Sequence, residues 1–422
     1  MILNGTLNPY EAGLMIDYTV KGIEERRPLF FTSCMTESSV MSYRDYLTFD
    51  IGMDGRQNVM GQTVNPDIDV NAVRLPGFAT GQISCAYTKE AVGSPDYLEL
   101  SQREFGEQVD TVATKNFAAA YARNVAEQMG LAYKRMENLH EWTMGKILLD
   151  GKVTLKSDKA DTVVWDFYRN VLTNTSSSTT NAAAHKTANE ALMNEVVSEI
   201  DLTAYFANVA SGSFSRSGGL SWDSVIAGGT SKFTPAELQT QVSPVRHLQR
   251  MLELSMYCGA GCDKILMTDS AYSWFLKDLK DNYADTWDTT KNTNIRTVEE
   301  IVPMLRTIEG LEFKRFWDSG NGLPVPIYIY RATFIDRDTG VRKRYVEDDG
   351  TVLLIPPRQY AEIKYGRIEN MKSNYEPMKT FVNFWSNQKT GVTEWELERK
   401  FFQYHKNINS AIKWKVCTTS AV

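Results

Sequence analysis

The chain has 422 residues, of which 42% are hydrophobic and 23% charged, proportions of an ordinary globular protein that exclude a disordered or fibrous chain. At roughly 150 residues per domain this length predicts two to three domains, or one elongated subunit with insertions. Lys and Arg number 46 against 52 Asp and Glu, a net charge of −6, the opposite balance from a protein that coats nucleic acid by neutralising phosphates.

Met1–Gly5 opens the chain without a basic stretch leading into an apolar one, so no secretory signal is expected. No window approaches the ~18 apolar residues of a membrane span, and a soluble protein made in a cytoplasm is expected. The five cysteines, Cys34, Cys85, Cys258, Cys262 and Cys417, are odd in number and sparse, which predicts free thiols.

Residues 1–45, with Pro9 and Pro28, read as an extended arm. From Tyr46 to Gln108 the pattern is strand-like and turn-rich, and Phe78–Phe105 is expected to form a protruding hairpin with little apolar content. Its tip, Lys89–Asp96, has so little to bury that removal of 86–98 should leave the subunit folded. The strongest local signal follows. Phe117, Tyr121, Val125, Met129, Ala132, Met136 and Leu139 recur in steps of four and three, predicting one long helix over 112–149 that Asp150-Gly151 closes. Strands are expected at 152–155 and 162–167, and the polar run Asn174–Asn181 marks 173–219 as an insertion, with a helical stretch at 188–209.

Beyond the insertion, Pro244 suits the first turn of a helix over 245–257. Ile265–Thr268 reads as a buried strand, Asp269-Ser270 as the cap of a helix at 271–279, and 298–305 as a short helix. Residues 325–335, 341–346 and 352–355 are expected to form an antiparallel meander with turns at 336–340 and 348–350. Strands at 380–385, through Trp395 to Phe401, and at 411–416 close the chain. Helices interspersed with antiparallel hairpins place the protein in the α+β class.

Signs of catalysis are sparse. His140-Glu141 begins like a zinc-protease helix, but position 144 is Met, so His140 is expected to be a solvent-facing helix residue. Cys258 and Cys262 have spacing for one helical face but no second ligand pair. No nucleophile elbow, phosphate loop or dinucleotide fingerprint occurs. The acidic clusters Asp336–Asp338 and Asp348-Asp349-Gly350 fall where turns require Asp and Gly, and Arg342-Lys343-Arg344 reads as a partner for those acids. No catalytic, cofactor or metal residue is expected.

The run Asn138–Val153, in which Glu141-Trp142 precedes an apolar turn and Gly151-Lys152, resembles the end of the spine helix in tailed-phage major capsid proteins of the lambda-type family. Trp165–Asn170 is similar to the family's next strand, with Tyr168 in place of a glycine. Arg74–Phe78 and Tyr87–Phe105 resemble the lead-in to its extended loop, and Ile265–Thr268 with Trp274, Tyr328–Asp338 and Trp385 continue in order. The resemblance implies a Hong Kong 97-like capsid fold: an N-terminal arm at 1–45, an E-loop with flanking strands at 46–110, a peripheral domain at 111–260 carrying the spine helix 112–149 and the insertion 173–219, an axial domain at 261–365, and peripheral return strands at 366–422. It implies a non-enzymatic protein without cofactors that assembles with itself into hexamers and pentamers of a phage head. Portal, scaffold and decoration proteins would be its other partners, packaged double-stranded DNA would lie against it by non-specific proximity, no membrane would be involved, and its location would be the virion after assembly in the host cytoplasm. Lys89, Glu90, Asp96, Arg103 and Glu104 are the expected assembly contacts. An encapsulin-like compartment shell and a carbohydrate-active enzyme are the alternatives, the latter predicting a monomer with a cleft.

Overall fold

A computed structural model describes residues 29–39, 41–52, 78–92, 117–156, 162–167, 171–172, 215–216, 222, 243–257, 261–282, 308, 310–317, 324–336, 339–386, 393–407, 410–418 and 420. In chain order the elements are α1 (Phe30–Ser33), β1 (Thr36–Glu37), β2 (Tyr46–Gly52), β3 (Phe78–Ser84), β4 (Ala86–Val92), α2 (Phe117–Asp150), β5 (Lys152–Lys156), β6 (Thr162–Asp166), β7 (Val171–Leu172), β8 (Ser215–Arg216), α3 (Pro244–Tyr257), β9 (Lys264–Met267), α4 (Asp269–Asn282), β10 (Leu311–Trp317), β11 (Val325–Tyr330), β12 (Thr333–Ile335), β13 (Arg342–Arg344), β14 (Thr351–Ile355), β15 (Ala361–Tyr365), β16 (Phe381–Ser386), β17 (Thr393–His405) and β18 (Ile412–Lys415). The class is α+β.

The long helix is continuous over its 34 residues, about 51 Å at 1.5 Å per residue, and Gly130 does not break it. The expected 112–116 lie outside the described residues. Met129, Ala132, Tyr133, Met136, Met144, Ile147 and Leu148 form its buried stripe, the three-and-four spacing that keeps one face inward. Gly151 ends it with φ +64°, and its N–H returns to the Ile147 carbonyl at 2.9 Å, the left-handed stop that glycine permits. The chain then turns into the β5–β6 hairpin.

Two larger sheets carry the core. In the first, β17 is central: β16 pairs along Thr393–Glu398, β4 along Trp395–Phe401 and β15 along Phe401–His405, all antiparallel, while β1 joins β15 in parallel. The second has the order β10-β11-β9-β14-β18-β8. Its middle strands β9, β11 and β14 are buried on both faces, and successive residues serve different cores. Leu266, Tyr328, Leu353 and Ile355 face the core shared with α1, α2 and the first sheet. Ile265, Met267, Ile327, Val352, Leu354, Ile412 and Trp414 face the one closed by α3 and α4. This is the period-two alternation of a strand.

Three expectations need correction. Residues 325–355 are not a meander: β9 lies between β11 and β14, parallel to β11, and β12–β13 forms a separate two-stranded hairpin. The parallel pair is possible because α4 supplies the crossover. Phe78–Phe105 is not one hairpin either. β3 pairs with β2, over Tyr46–Gly52, while β4 departs after Cys85 to join β17. Ile83 and Ala86 are buried, so replacing 86–98 would strip a seven-residue ladder from β17; residues 93–105 lie outside the described ones.

The arm is extended at most in part. Phe30, Phe31, Cys34 and Met35 are buried in the core; residues 1–28 lie outside the described ones. α3, before residue 261, packs with α4 on the second sheet, β18 returns to that sheet, and β15 belongs to the first. The insertion is described only at Ser215–Arg216, which pairs in parallel with β18, and the helices expected at 188–209 and 298–305 lie outside the described residues.

The seat of α1 depends on a glycine in the middle of α2. A Cβ at Gly145 would meet the Phe31 ring at 3.0 Å, closer than packed side chains sit. Gly145→Ala gains helix propensity worth about 1 kcal/mol but is expected to lose about 1–3 kcal/mol to overpacking. A net fall in the denaturation midpoint, abolished when Phe31 is also shortened to Leu, is the expected result of urea titrations on the two variants.

Candidate assembly site

The first sheet holds its central strand by charge. Glu398, Arg399 and Lys400 are consecutive on β17 and all but inaccessible to solvent. Charged residues are almost never fully buried unless paired, and alternation along the strand sends their side chains to opposite faces. Arg399 points to α2. Its Nη1 donates to Glu137 Oε1 at 2.5 Å, its Nε and Nη2 donate to Thr380 Oγ1 at 3.0 and 2.7 Å, and its guanidinium lies 4.8 Å from the Tyr133 ring centroid. Burial alone would raise the Glu137 carboxyl, but the Arg399 charge overcomes it and holds the group below its usual range. Burial likewise works against charge on Arg399, and Glu137 reverses that, raising the guanidinium further.

Lys400 and Glu398 face the other way. Lys400 Nζ donates to Asp45 Oδ1 at 2.6 Å and to Glu369 Oε1 at 2.8 Å, tying the stretch after β1 and the loop after β15 to one ammonium. Glu398 accepts from the Tyr87 hydroxyl at 2.6 Å and Asn370 Nδ2 at 2.8 Å, with Lys89 Nζ at 3.4 Å. Desolvation, and next the hydrogen bond to Glu398, push the Tyr87 hydroxyl up.

A second buried carboxylate fixes α1. Glu141 accepts the Phe31 and Thr32 backbone N–H groups at 2.8 Å each and the Thr32 hydroxyl at 2.9 Å, satisfying donors that the first turn of a helix leaves unpaired. Desolvation raises its pKa, and those donors oppose the rise. From α1 an aromatic chain runs outward: Phe30 to Tyr330 with centroids 5.2 Å apart, Tyr330 to Tyr345 stacked at 5.8 Å, and Tyr345 to Phe334 at 4.9 Å.

His140 corrects its expected exposure. It is buried, 4.1 Å from the Phe401 ring between centroids, and burial followed by the Arg399 charge lowers it to about 3. The helix turns it toward β17 because positions 136, 140, 143 and 144 share the inward face. His247, whose Nδ1 accepts from Trp222 Nε1 at 2.8 Å, and His405 are lowered to about 4, burial being the largest cause in both.

The helix expected to be capped by Asp269-Ser270 already includes them, and Asp269 instead binds Arg331, with Nε–Oδ2 2.9 Å. Cys262 precedes β9 rather than lying on a helix with Cys258, which is outside the described residues. Cys34, Cys85, Cys262 and Cys417 are unbridged, and burial pushes Cys34 up to about 11 and Cys262 up to about 12, so neither forms a thiolate readily. Among the described residues no group of three or more His, Cys, Asp or Glu side chains is placed to hold a metal ion, and no helix is long and apolar enough to cross a membrane.

Of the expected contact residues, Lys89 lies on β4 with its Nζ 3.5 Å from Glu396 and 3.4 Å from Glu398, and Glu90 lies 3.5 Å from Arg135 of α2. The structure brings these two together on one ladder with partners in the same chain. Asp96, Arg103 and Glu104 lie outside the described residues. Sequence reasoning missed Glu398–Lys400, whose signal was a run of three charges inside a strand flanked by Leu397 and Phe401, and Trp222, whose ring N–H donates to His247 and whose backbone N–H donates to the Val416 carbonyl.

This architecture superposes along nearly its whole length on a protein assigned as the capsid protein of an Escherichia coli CFT073 prophage, with a TM-score of 0.56, 12% identity, and coverage of 97% of this chain and 99% of that one. The chain has that protein's fold. A phage-related protein of Bordetella bronchiseptica RB50 matches at TM-score 0.42 and 10% identity over 94% of this chain and 96% of that one. The capsid of cyanophage Pam1 matches at 0.38 and 12% over 90% and 88%. These last two scores are too low to specify a fold. No family model and no curated protein matches the sequence.

Two outcomes test the electrostatics. Arg399→Ala strands Glu137 without its cation and is expected to cost about 3–5 kcal/mol, whereas Arg399→Met with Glu137→Gln removes both charges and costs far less; chemical denaturation of the three proteins decides it. The histidines set the acid limb. Their folded pKa values lie below the ordinary 6.5, so the unfolded chain binds more protons under that pH, and stability is expected to fall as pH drops from about 6.5 towards 4. Glu137 and Glu398, held below their ordinary 4.5, extend the loss at lower pH, while Glu141, raised, opposes it. His247→Gln should flatten the upper part of a melting-temperature profile measured from pH 7 to 4.

Proposed function

We propose that this chain is the major capsid protein of a tailed phage, a non-enzymatic subunit that assembles with itself into the hexamers and pentamers of an icosahedral or prolate head around double-stranded DNA. The observation that carries the reading is the match, over nearly the full length of both chains, to the fold of a prophage protein assigned to the capsid. The ordered sequence resemblance from about residue 75 to 416 supports the same reading independently, because it rests on local motifs rather than on superposition.

In this reading the fold is Hong Kong 97-like. α2 is the spine of the peripheral domain, the first sheet with its buried charges is that domain's platform, and the six-stranded sheet with α3 and α4 is the axial domain. The E-loop then springs from the β2–β3 pair rather than from 78–105. Residues 1–28 act as the arm, and 29–38 belong to the subunit core. Asp96, Arg103 and Glu104 remain the proposed contacts to neighbouring subunits. A net charge of −6 suits a shell whose DNA must slide rather than stick. Portal, scaffold and decoration proteins are the other partners, and the protein resides in the virion after assembly in the host cytoplasm.

Expression of the chain alone, followed by sedimentation and negative-stain electron microscopy, tests the reading. Closed particles of uniform diameter, or rings of five and six subunits, are expected. A protein that stays monomeric across the concentrations and salts at which it is soluble would contradict it.

A further inference from the structure

The β12–β13 hairpin stands apart from both large sheets. It pairs with no other strand among the described residues, and an isolated two-stranded hairpin is marginal in water. Its root is fixed by Phe334 and Tyr345 at the end of the aromatic chain, and Val346 beside them is buried. Toward the turn its described residues are open to solvent: Ile335 and Val341 are 66% and 56% exposed, and Arg342, Lys343 and Arg344 are all exposed. Lys343 reaches Asp336 at 2.5 Å and Arg344 approaches Asp269 only to 4.0 Å; no carboxylate among the described residues pairs with Arg342.

The opposite charge follows within the same stretch of chain. After the buried pair Tyr345-Val346 come Glu347, Asp348 and Asp349, and no lysine or arginine among the described residues pairs with any of them. This acidic turn is rigid. Asp348 Oδ1 accepts the Ser270 N–H at 3.1 Å, Asp349 Oδ1 accepts the Thr351 hydroxyl at 2.5 Å, and Gly350, at φ +76°, lies so close to the Cys417 carbonyl that a Cβ would sit 1.9 Å from its oxygen. A basic, partly apolar finger and an acidic shelf are therefore both held in place, three residues apart, without neutralising each other. Two distinct complementary patches suit a head-to-tail contact between copies, which closes into a ring where its rotation allows.

We propose that the β12–β13 hairpin of one subunit docks on the Glu347–Asp349 turn of a second copy, with Arg342 facing Glu347 and Ile335 and Val341 covered by the contact. The inference rests on the capsid reading for its occupant, and on charge complementarity for its location. It names a contact between the second sheets of adjacent subunits.

The test is a charge exchange. Arg342→Glu and Glu347→Lys are made singly and together, with circular dichroism and melting to show that each folds, and assembly is followed by sedimentation velocity and electron microscopy at low salt, about 50 mM, where surface charges act over the longest range. Each single variant is expected to need about tenfold more protein to assemble, because like charges then face each other at every contact. The double variant is expected to return to within about twofold of the wild type, and an equimolar mixture of the two single variants to recover in part, since alternation restores opposite charges at every contact of a six-membered ring and at all but one contact of a five-membered one. Rescue by mixing is the decisive result, because an interaction inside one chain cannot be repaired by another molecule. Single variants that assemble like the wild type would overturn the proposal and leave the capsid reading standing. Loss of bound nucleic acid in Arg342→Glu alone, without rescue, would overturn it in favour of a nucleic-acid contact. Small rings that follow the exchange pattern but never close into shells would support the contact and contradict the capsid reading.

Discussion

The subunit depends on how β17 is held. A strand with Glu, Arg and Lys in succession at its centre would be a poor element for a core, because each unpaired buried charge costs several kcal/mol. Here each charge meets a partner from a different part of the chain: Arg399 meets Glu137 of α2, Lys400 meets Asp45 and Glu369, and Glu398 meets Tyr87 of β4 and Asn370. The cost of desolvation is offset only when all of these elements are in place, so the charges specify one arrangement of helix, N-terminal segment and sheet. Hydrophobic residues of equal volume would add stability without that selectivity.

The same logic extends to the second sheet through Glu141. By taking the N–H groups of Phe31 and Thr32 it places two phenylalanines against Tyr328 and Tyr330 of β11, and Gly145 of α2 leaves the space that the Phe31 ring fills. The aromatic chain from Phe30 to Phe334 then fixes the β12–β13 hairpin to the body. Two carboxylates on adjacent turns of one helix, Glu137 and Glu141, thus tie the spine to both sheets. Among the described residues Arg342 and Glu347, both exposed, carry no ion-pair partner, and the contact proposed between subunits uses them.

Much of this was legible in the sequence where the signal is local. The three-and-four spacing of Met129 to Leu139 and the glycine at 151 give the spine helix and its end, and Pro244, Ile265–Met267 and the alternation through Trp395 and Leu397 give their elements within a few residues. What was not legible is long-range. Nothing near Ala86–Val92 shows that it leaves β3 to pair with a strand three hundred residues later, and its polar residues, which suggested exposure, are polar because they meet Glu396 and Glu398. His140 was misplaced for a related reason: a histidine beside charges reads as surface, whereas its charged neighbours are themselves buried. Phe30-Phe31, an adjacent aromatic pair just after Pro28, was a local hint that the N-terminal segment enters the core. Of the expected assembly residues, the sequence located a charged ladder but not the partners of Lys89 and Glu90, which lie within the chain.

The central claim is that β17 and α2 lock the described body of the chain on its own, so that under the proposed capsid function it is already formed when it meets a second copy. Amide hydrogen exchange on the unassembled protein tests it most directly. The account predicts that β17 and the 129–150 part of α2 are the slowest-exchanging amides of the free subunit and change little on assembly, while residues 335–343 gain protection only when subunits associate. Fast exchange along β17 in the free subunit, slowed only by assembly, would contradict it.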